Sequence, residues 1–272
     1  MKKEPKIDIL YEDDNILAIN KPAGIAVHAD FKSTNYTLTD WIIKRYPEMK
    51  EVGEPYGLHG GKTEEDYLDD EDETNKEREP IYRPGIVHRL DADTTGVLIL
   101  AKNQQVYKYL KKVFKERKVE KVYRAIVYGH LKDDRGIIDK LIGRNRGDFR
   151  MKSTGASARG DLKEALTYYK VVEKFNNYSL VELRPKTGRT HQLRVHLKAI
   201  SHPVACDSLY AKDKICPDGM KRQALHASSI EFKLPNNGPD SAQGMLIKIE
   251  APLPPDFKKT LAKLRAQIQN NL

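Results

Sequence analysis

Residues 88–101 read HRLDADTTGVLILA. The first part sets His88, Arg89, Asp91 and Asp93 within six residues, and the second, Val97 to Ala101, is an unbroken apolar run. Such a run, entered through the bend Thr94-Thr95-Gly96, reads as a buried strand. Charge placed directly against a buried strand has two explanations. Either the acids decorate a solvated turn, or one of them is held rigidly for chemistry.

Working outward, the chain keeps producing short strands. IDILYEDDNILAINKPAGIAVH (7–28) reads as two strands about a turn at Asp13-Asp14-Asn15, stopped by Pro22 and Gly24. Thr37 or Thr39 caps a helix carrying Leu38, Trp41, Ile42 and Tyr46, which ends near Pro47. Asn103 caps a second helix with Val106, Leu110, Val113 and Phe114 at three–four spacing. VEKVYRAIVYGHL (119–131) alternates as a strand with Tyr123, Ala125 and Val127 on one face. LKDDRGIIDKLIGRNRGDFRMKST (131–154) is a basic hairpin or loop. Two further strands flank a turn at Asn176-Asn177. THQLRVHLKAIS (190–201) is a helix that Thr190 is placed to cap, with Leu193, Leu197 and Ile200 inward. Two closing strands and a helix begun by Pro255 and Asp256 complete the chain. Strands joined by hairpin-like connections, with few helices between them, predict an α+β fold on a central, mainly antiparallel mixed sheet flanked by helices and loops. The length fits a single domain over 1–272.

The chain has 272 residues and a formal net charge of +9. Glu64 to Glu79 holds ten acids against Lys76 and Arg78, a local −8, so the rest of the chain carries +17. That balance suits a polyanionic partner. The stretch 51–80 is acidic and poor in apolar residues, and reads as a disordered loop inserted in the domain. The two cysteines, Cys206 and Cys216, make no CxxC pair and no disulfide framework is expected, which fits a reducing cytoplasm. The N-terminus is charged and has no long apolar core, so it does not read as a signal peptide, and no run reaches membrane-helix length.

Several chemistries fail on spacing. His191 and His196 are five apart rather than the four of a helical zinc motif, and His88, His202 and Asp207 do not complete a ligand pattern, so no metal is expected. No glycine-rich phosphate loop and no GxSxG elbow is present, so neither a nucleotide cofactor nor a serine triad is expected. Asp91 and Asp93, two apart, share a face if the segment is a strand, but no further motif supports a paired-carboxylate hydrolase. A lone carboxylate that stays ionised beside a core needs a counter-charge. Arg89 points away from Asp91 in an extended segment, which makes Arg189, at the loop-to-helix junction, the expected partner. From spacing alone, a structural ion pair without chemistry is the favoured reading.

Two long stretches in this order, RPGIVHRLDADTTGVLILAK (83–102) and RTHQLRVHL (189–197) followed by HP and DSLY, resemble the RluA-type family of RNA pseudouridine synthases from about Ile7 to Pro252. Thr95 stands where that family usually has serine, and Ser201 and Cys206 where it has glycine. The resemblance implies an isomerase that detaches uracil from C1′, turns it, and rejoins it through C5, without a cofactor. It implies Asp91 as the catalytic aspartate, Arg189 as its counter-charge, and Tyr123 as the active-site tyrosine that stacks on the base. Leu225 would pack against the base, and His88 and Arg89 would contact the RNA or help extrude the nucleotide. The expected partner is ribosomal or transfer RNA rather than DNA or a membrane, the protein is expected to be a cytoplasmic monomer, and no separate RNA-binding module is expected before Ile7. The rival reading is an RNA-binding or ribosome-assembly protein that keeps the scaffold without the reaction.

Overall fold

The structure is a computed structural model, and it describes residues 4–28, 36–56, 81–148, 150–235 and 244–269. In chain order the elements are β1 (Asp8–Glu12), β2 (Ile16–Lys21), α1 (Leu38–Arg45), β3 (Pro55–Tyr56), β4 (Ile81–Tyr82), β5 (Thr95–Ala101) and α2 (Gln104–Lys115). Then follow β6 (Glu120–Tyr128), β7 (Arg135–Asp139), β8 (Ile142–Asn145), β9 (Lys152–Ser153), β10 (Ala158–Lys163) and β11 (Leu166–Lys174). The chain closes with β12 (Tyr178–Pro185), α3 (Gln192–Ala199), β13 (Leu225–Pro235), β14 (Gly244–Glu250) and α4 (Pro255–Gln269).

The fold is the α+β class that the strand-rich pattern predicts. The main sheet runs β1-β2-β5-β13-β6-β12-β11-β7, with β14 paired to β13. Every pairing in it is antiparallel except β5 with β13. A second, three-stranded sheet, β10-β8-β9, is formed by the basic segment around Arg144 and Arg159.

Local chemistry sets the element ends. Asp13 Oδ1 accepts from the amides of Asn15 and Ile16 and so turns the chain from β1 into β2. Thr37 and Asp40 form a reciprocal capping box on α1, and Asn103 accepts from Val106 N at the start of α2. The predicted Thr190 cap is not used. α3 instead starts after His191, which has φ +56, and the buried Gln192 side chain accepts from Arg189 N and the Thr187 hydroxyl while donating to Leu166 O and Thr167 Oγ1. At its other end Ser201 has φ +68, with Ser201 N bonded to Lys198 O and His202 N to Leu197 O. This is a left-handed helix cap of the kind glycine usually makes. Cys206 also has positive φ, so both positions where the resembled family carries glycine keep glycine's backbone here.

β5 is buried along its whole length. β2 covers one edge, Ile16–Lys21 against Gly96–Ala101. Its other edge meets β13 only at Thr95 and Gly96. Gly96 has φ +113, and a Cβ there would lie 2.1 Å from Ala227 O, so only glycine lets these parallel strands meet. Beyond that point β13 pairs with β14 instead, and the segment before the opening motif fills the vacated edge: Ala101 N donates to Gly85 O and Ile99 N to His88 Nε2.

Two large apolar cores result, beside a small cluster of Ile142, Ala165, Val195 and Tyr210. One gathers β2, β5, α1 and α2, the other β6, β12, α3 and α4, and Tyr123 packs against both. Residues 51–56, which the sequence assigns to the acidic loop, are tied into the first: Val52 is buried, Gly85 N donates to Val52 O, and β3 pairs with β4. The remainder of that loop, 57–80, lies outside the described residues. Cys206 and Cys216, expected to be unpaired, are joined by a disulfide with Cα atoms 5.1 Å apart. Spacing could not show it, because the intervening chain loops back through irregular turns. Among the described residues no helix is long and apolar enough to cross a membrane.

Candidate active site

The acids of the opening motif sit on a β-turn in which Thr94 N donates to Asp91 O at 3.0 Å. Residues distant in sequence hold two carbonyls and one hydroxyl of that turn. Lys21 Nζ donates to Ala92 O at 2.7 Å and Gly24 N to the same oxygen at 3.1 Å. Arg222 Nη1 donates to Asp93 O at 3.0 Å, and Gln223 Nε2 to the buried Thr94 hydroxyl at 2.7 Å. The turn is therefore rigid, and Asp93 is an exposed member of it.

Asp91 faces a cleft of about 450 Å³ at the seam of the two cores. Tyr123, Leu225, His88, Arg89 and Arg189, all expected at the site, line it together with Asp91. Among the cleft-lining residues Asp91 is the one carboxylate, against Arg89, Lys115, Arg117, Lys121, Lys186, Arg189 and Arg194.

The counter-charge is Arg194, a correction to the expected Arg189. Arg194 Nη1 lies 2.9 Å from Asp91 Oδ2, while Arg189 Nε donates to Glu164 O at 3.2 Å. The reason is helix register. Arg189 precedes α3, its amide held by Gln192, whereas Arg194 is on α3 with its side chain only 6 % exposed. A guanidinium so buried needs more than one acceptor, and Asp207, which is fully buried, supplies the others. Arg194 Nε donates to Asp207 Oδ2 at 2.6 Å and Nη2 to Oδ1 at 2.8 Å. Asp207 Oδ1 also accepts from the amides of Leu209 and Tyr210, and the Tyr210 ring lies against the guanidinium at 5.1 Å. The order Asp207–Arg194–Asp91 leaves Asp91 Oδ1 without a hydrogen bond among the described residues, with His191 Nε2 4.0 Å away.

Burial alone would raise the Asp91 pKa, but His191 and Arg194 beside it, with the Arg194 hydrogen bond, more than offset this and hold it below the ordinary carboxylate value. At neutral pH Arg194 is the effective cation, because burial pushes His191 below its own usual value. Burial and then the Asp91 charge push the Tyr123 phenol up, so it stays protonated.

His88 has a structural task. Its Nε2 accepts from Ile99 N at 3.0 Å, its ring stacks on Phe114 with centroids 4.7 Å apart, and burial pushes its pKa down to about 3. It lines the cleft as a neutral ring. Arg89 is exposed, with Nη1 3.3 Å from His28 Nε2. Leu225 is buried at the start of β13, opposite Ala125. His196 and His202 are engaged away from the cleft, His196 with Thr167 and Lys140 O and His202 with Tyr128 O.

Sequence reasoning missed Arg194, Asp207, Tyr210 and Lys21. A signal existed for the first two: a charged residue inside QLRVHL, and another inside VACDSLY, is flanked by apolar neighbours and needs a buried partner.

The sequence pattern of the RNA pseudouridylate synthase family matches residues 15–199. The chain is 33% identical over 262 residues to an uncharacterized RNA pseudouridine synthase of Synechocystis, spanning 96% of this chain and 70% of that protein. It is 32% identical over 274 residues to the ribosomal large subunit pseudouridine synthase D of Haemophilus ducreyi, spanning 97% and 72%. Among solved structures it superposes on human RNA pseudouridylate synthase domain containing 4 with a TM-score of 0.66 at 26% identity, covering 94% of this chain and 92% of that one.

Proposed function

This chain belongs to the RNA pseudouridylate synthase family and is an RNA pseudouridine synthase, an isomerase, and on that premise we propose that Asp91 carries its reaction in ribosomal RNA. The observation behind the assignment of Asp91 is its ion pair with the buried Arg194, in a cleft that Tyr123 also lines and whose other charged lining residues are cations.

The N1–C1′ bond of a uridine breaks, the uracil turns, and a C5–C1′ bond forms as C5 loses its proton and N1 takes one up. Atoms balance without an added reagent. Asp91 acts on the ribose either by attack at C1′ or by removing the C2′ proton, and both need an ionised carboxylate with a free oxygen. Arg194 supplies the first condition by holding Oδ2, and Oδ1 meets the second. Tyr123 stacks on the base as a neutral phenol, and Leu225 packs beside it. A paired uridine cannot reach Asp91 until it leaves its stack, so the target is flipped or already looped. Arg89, exposed at the cleft, contacts the RNA rather than Asp91.

Support for ribosomal over transfer RNA comes from the relatives in Haemophilus ducreyi and Neisseria meningitidis, both named for the large ribosomal subunit. We place the enzyme in the cytoplasm with that substrate, as a monomer. Incubating it with ribosomal and transfer RNA tritiated at uridine C5 tests this. Tritium release from ribosomal RNA alone is expected. Release from transfer RNA alone overturns the substrate, and release from neither overturns the activity.

A further inference from the structure

The Asp91–Arg194 pair leaves a second feature of the cleft unused. Lys121 stands two residues before Tyr123 on β6, so the pleat puts both side chains on one face, and both line the cleft. The two are separated by about 7 Å along the strand. Among the described residues the one hydrogen bond of Lys121 Nζ is a long contact, 3.4 Å to Thr187 O. Beside the amine is Gly188, which brings no side chain to it; a Cβ there would lie 3.8 Å from Lys121 Nζ.

The groups around Lys121 do not neutralise it. On β6 itself stand Glu120, which is ion-paired with Lys186, and the protonated Tyr123. Across the cleft are the neutral His88 and the ends of α2 and its following turn, Lys115 and Arg117. The β13 residue opposite is Ile230. Burial pushes the Lys121 amine down to about 8, with Glu120 opposing and Lys186 adding to the effect. A desolvated amine with no carboxylate of its own, in a cleft that opens to a polyanion, is matched to an anion brought by the substrate.

We propose that Lys121 is a phosphodiester-binding residue, its ammonium taking a non-bridging oxygen of a nucleotide next to the uridine held between Asp91 and Tyr123. This rests on the reading of the cleft as the RNA site. Phosphate binding restores the lysine proton, so affinity for RNA falls as pH rises through the free amine's value.

Wild type, Lys121→Met and Lys121→Arg are compared on a tritiated transcript of large-subunit ribosomal RNA, with filter binding of the same transcript at several salt concentrations. Lys121→Met is expected to raise KM and Kd about tenfold with kcat within about threefold, and to flatten the slope of log Kd against log salt by about 0.7–0.9. Lys121→Arg is expected to restore the slope. Wild-type affinity is expected to fall between about pH 7 and about pH 9, and that of Lys121→Met to stay level. A wild-type KM and slope in Lys121→Met overturn the proposal, as does a loss confined to kcat. If Lys121→Met fails to fold, a flat wild-type pH dependence overturns it alone. A wild type that releases no tritium yet shows the lysine-dependent slope removes the synthase reading and leaves the phosphate site standing.

Discussion

Arg194 Nη1 lies 2.9 Å from Asp91 Oδ2 across 103 positions of sequence, and the same guanidinium is gripped from behind by Asp207. The three groups differ in access. The side chains of Asp207 and Arg194 are 0 % and 6 % exposed, and that of Asp91 is 21 % exposed. Charge is thus fixed in the core and presented at one carboxylate in the cleft.

Asp91→Asn keeps the shape of the turn and removes the ionised carboxylate. Turnover is expected to drop at least about a thousandfold, with RNA affinity within about threefold because phosphate contacts dominate binding. Tritium release and filter binding read the two. In the wild type, log kcat should fall only as pH drops through the lowered Asp91 value, since protonation removes the reacting form. An acidic limb above the usual carboxylate range would contradict the Arg194 assignment.

Asp207→Asn leaves a buried arginine with one of its two carboxylate partners neutralised. The expected loss is about 3 kcal/mol of stability, the magnitude for breaking a buried pair, read by urea denaturation. Turnover should fall as well, because Arg194 is no longer held toward Asp91. A variant within about 0.5 kcal/mol of wild type would show that Asp207 does not anchor the site.

Lys21 is fully buried, and its Nζ donates to Pro22 O and Ala92 O, which a neutral amine with two hydrogens can still do. Burial pushes its pKa down to about 7, against the partial pull of Asp93 and Asp91. Between that value and the ordinary lysine value the unfolded chain binds the proton and the folded chain does not. Stability contributed here therefore rises with pH, by at most about 1.4 kcal/mol per unit. Comparing wild type with Lys21→Met by urea denaturation from about pH 7 to about pH 9 should show a shallower rise in the variant. Parallel curves would mean that Lys21 is charged in the fold.

Ser201 caps α3 in a left-handed conformation that costs a residue with a Cβ about 1 kcal/mol. Ser201→Gly is expected to raise Tm by about 2–4 °C with kcat unchanged. A lowered Tm would mean that the serine side chain contributes more than the strain it imposes.

Much of the scaffold was legible because its signals are local. Thr37 and Asn103 lie beside the helices they cap, the Asn176-Asn177 turn joins β11 to β12, and Val97–Ala101 needs burial wherever it is put. The site was legible in part for the same reason: Asp91 stood out by the cost of its charge beside an apolar run. The choice between Arg189 and Arg194 was not local. It depends on where α3 begins, and that start is set by Gln192 reaching Thr167 on β11, not by the Thr190 that propensity favours. Likewise the stretch around Asp207 signals a buried partner without saying which, and the arginine it holds lies thirteen positions earlier.

By itself, then, the amino-acid sequence determined most strands of the main sheet, most helix ends, the basic character and the carboxylate at issue, because periodicity, capping and desolvation act over a few residues. Only the tertiary structure decided which cation meets Asp91, that His88 supports a β5 amide, that Lys21 pins the turn from inside the core, and that Lys121 shares a face with Tyr123 in the cleft. Each of those depends on which buried polar group finds which partner, and long-range strand pairing alone settles that.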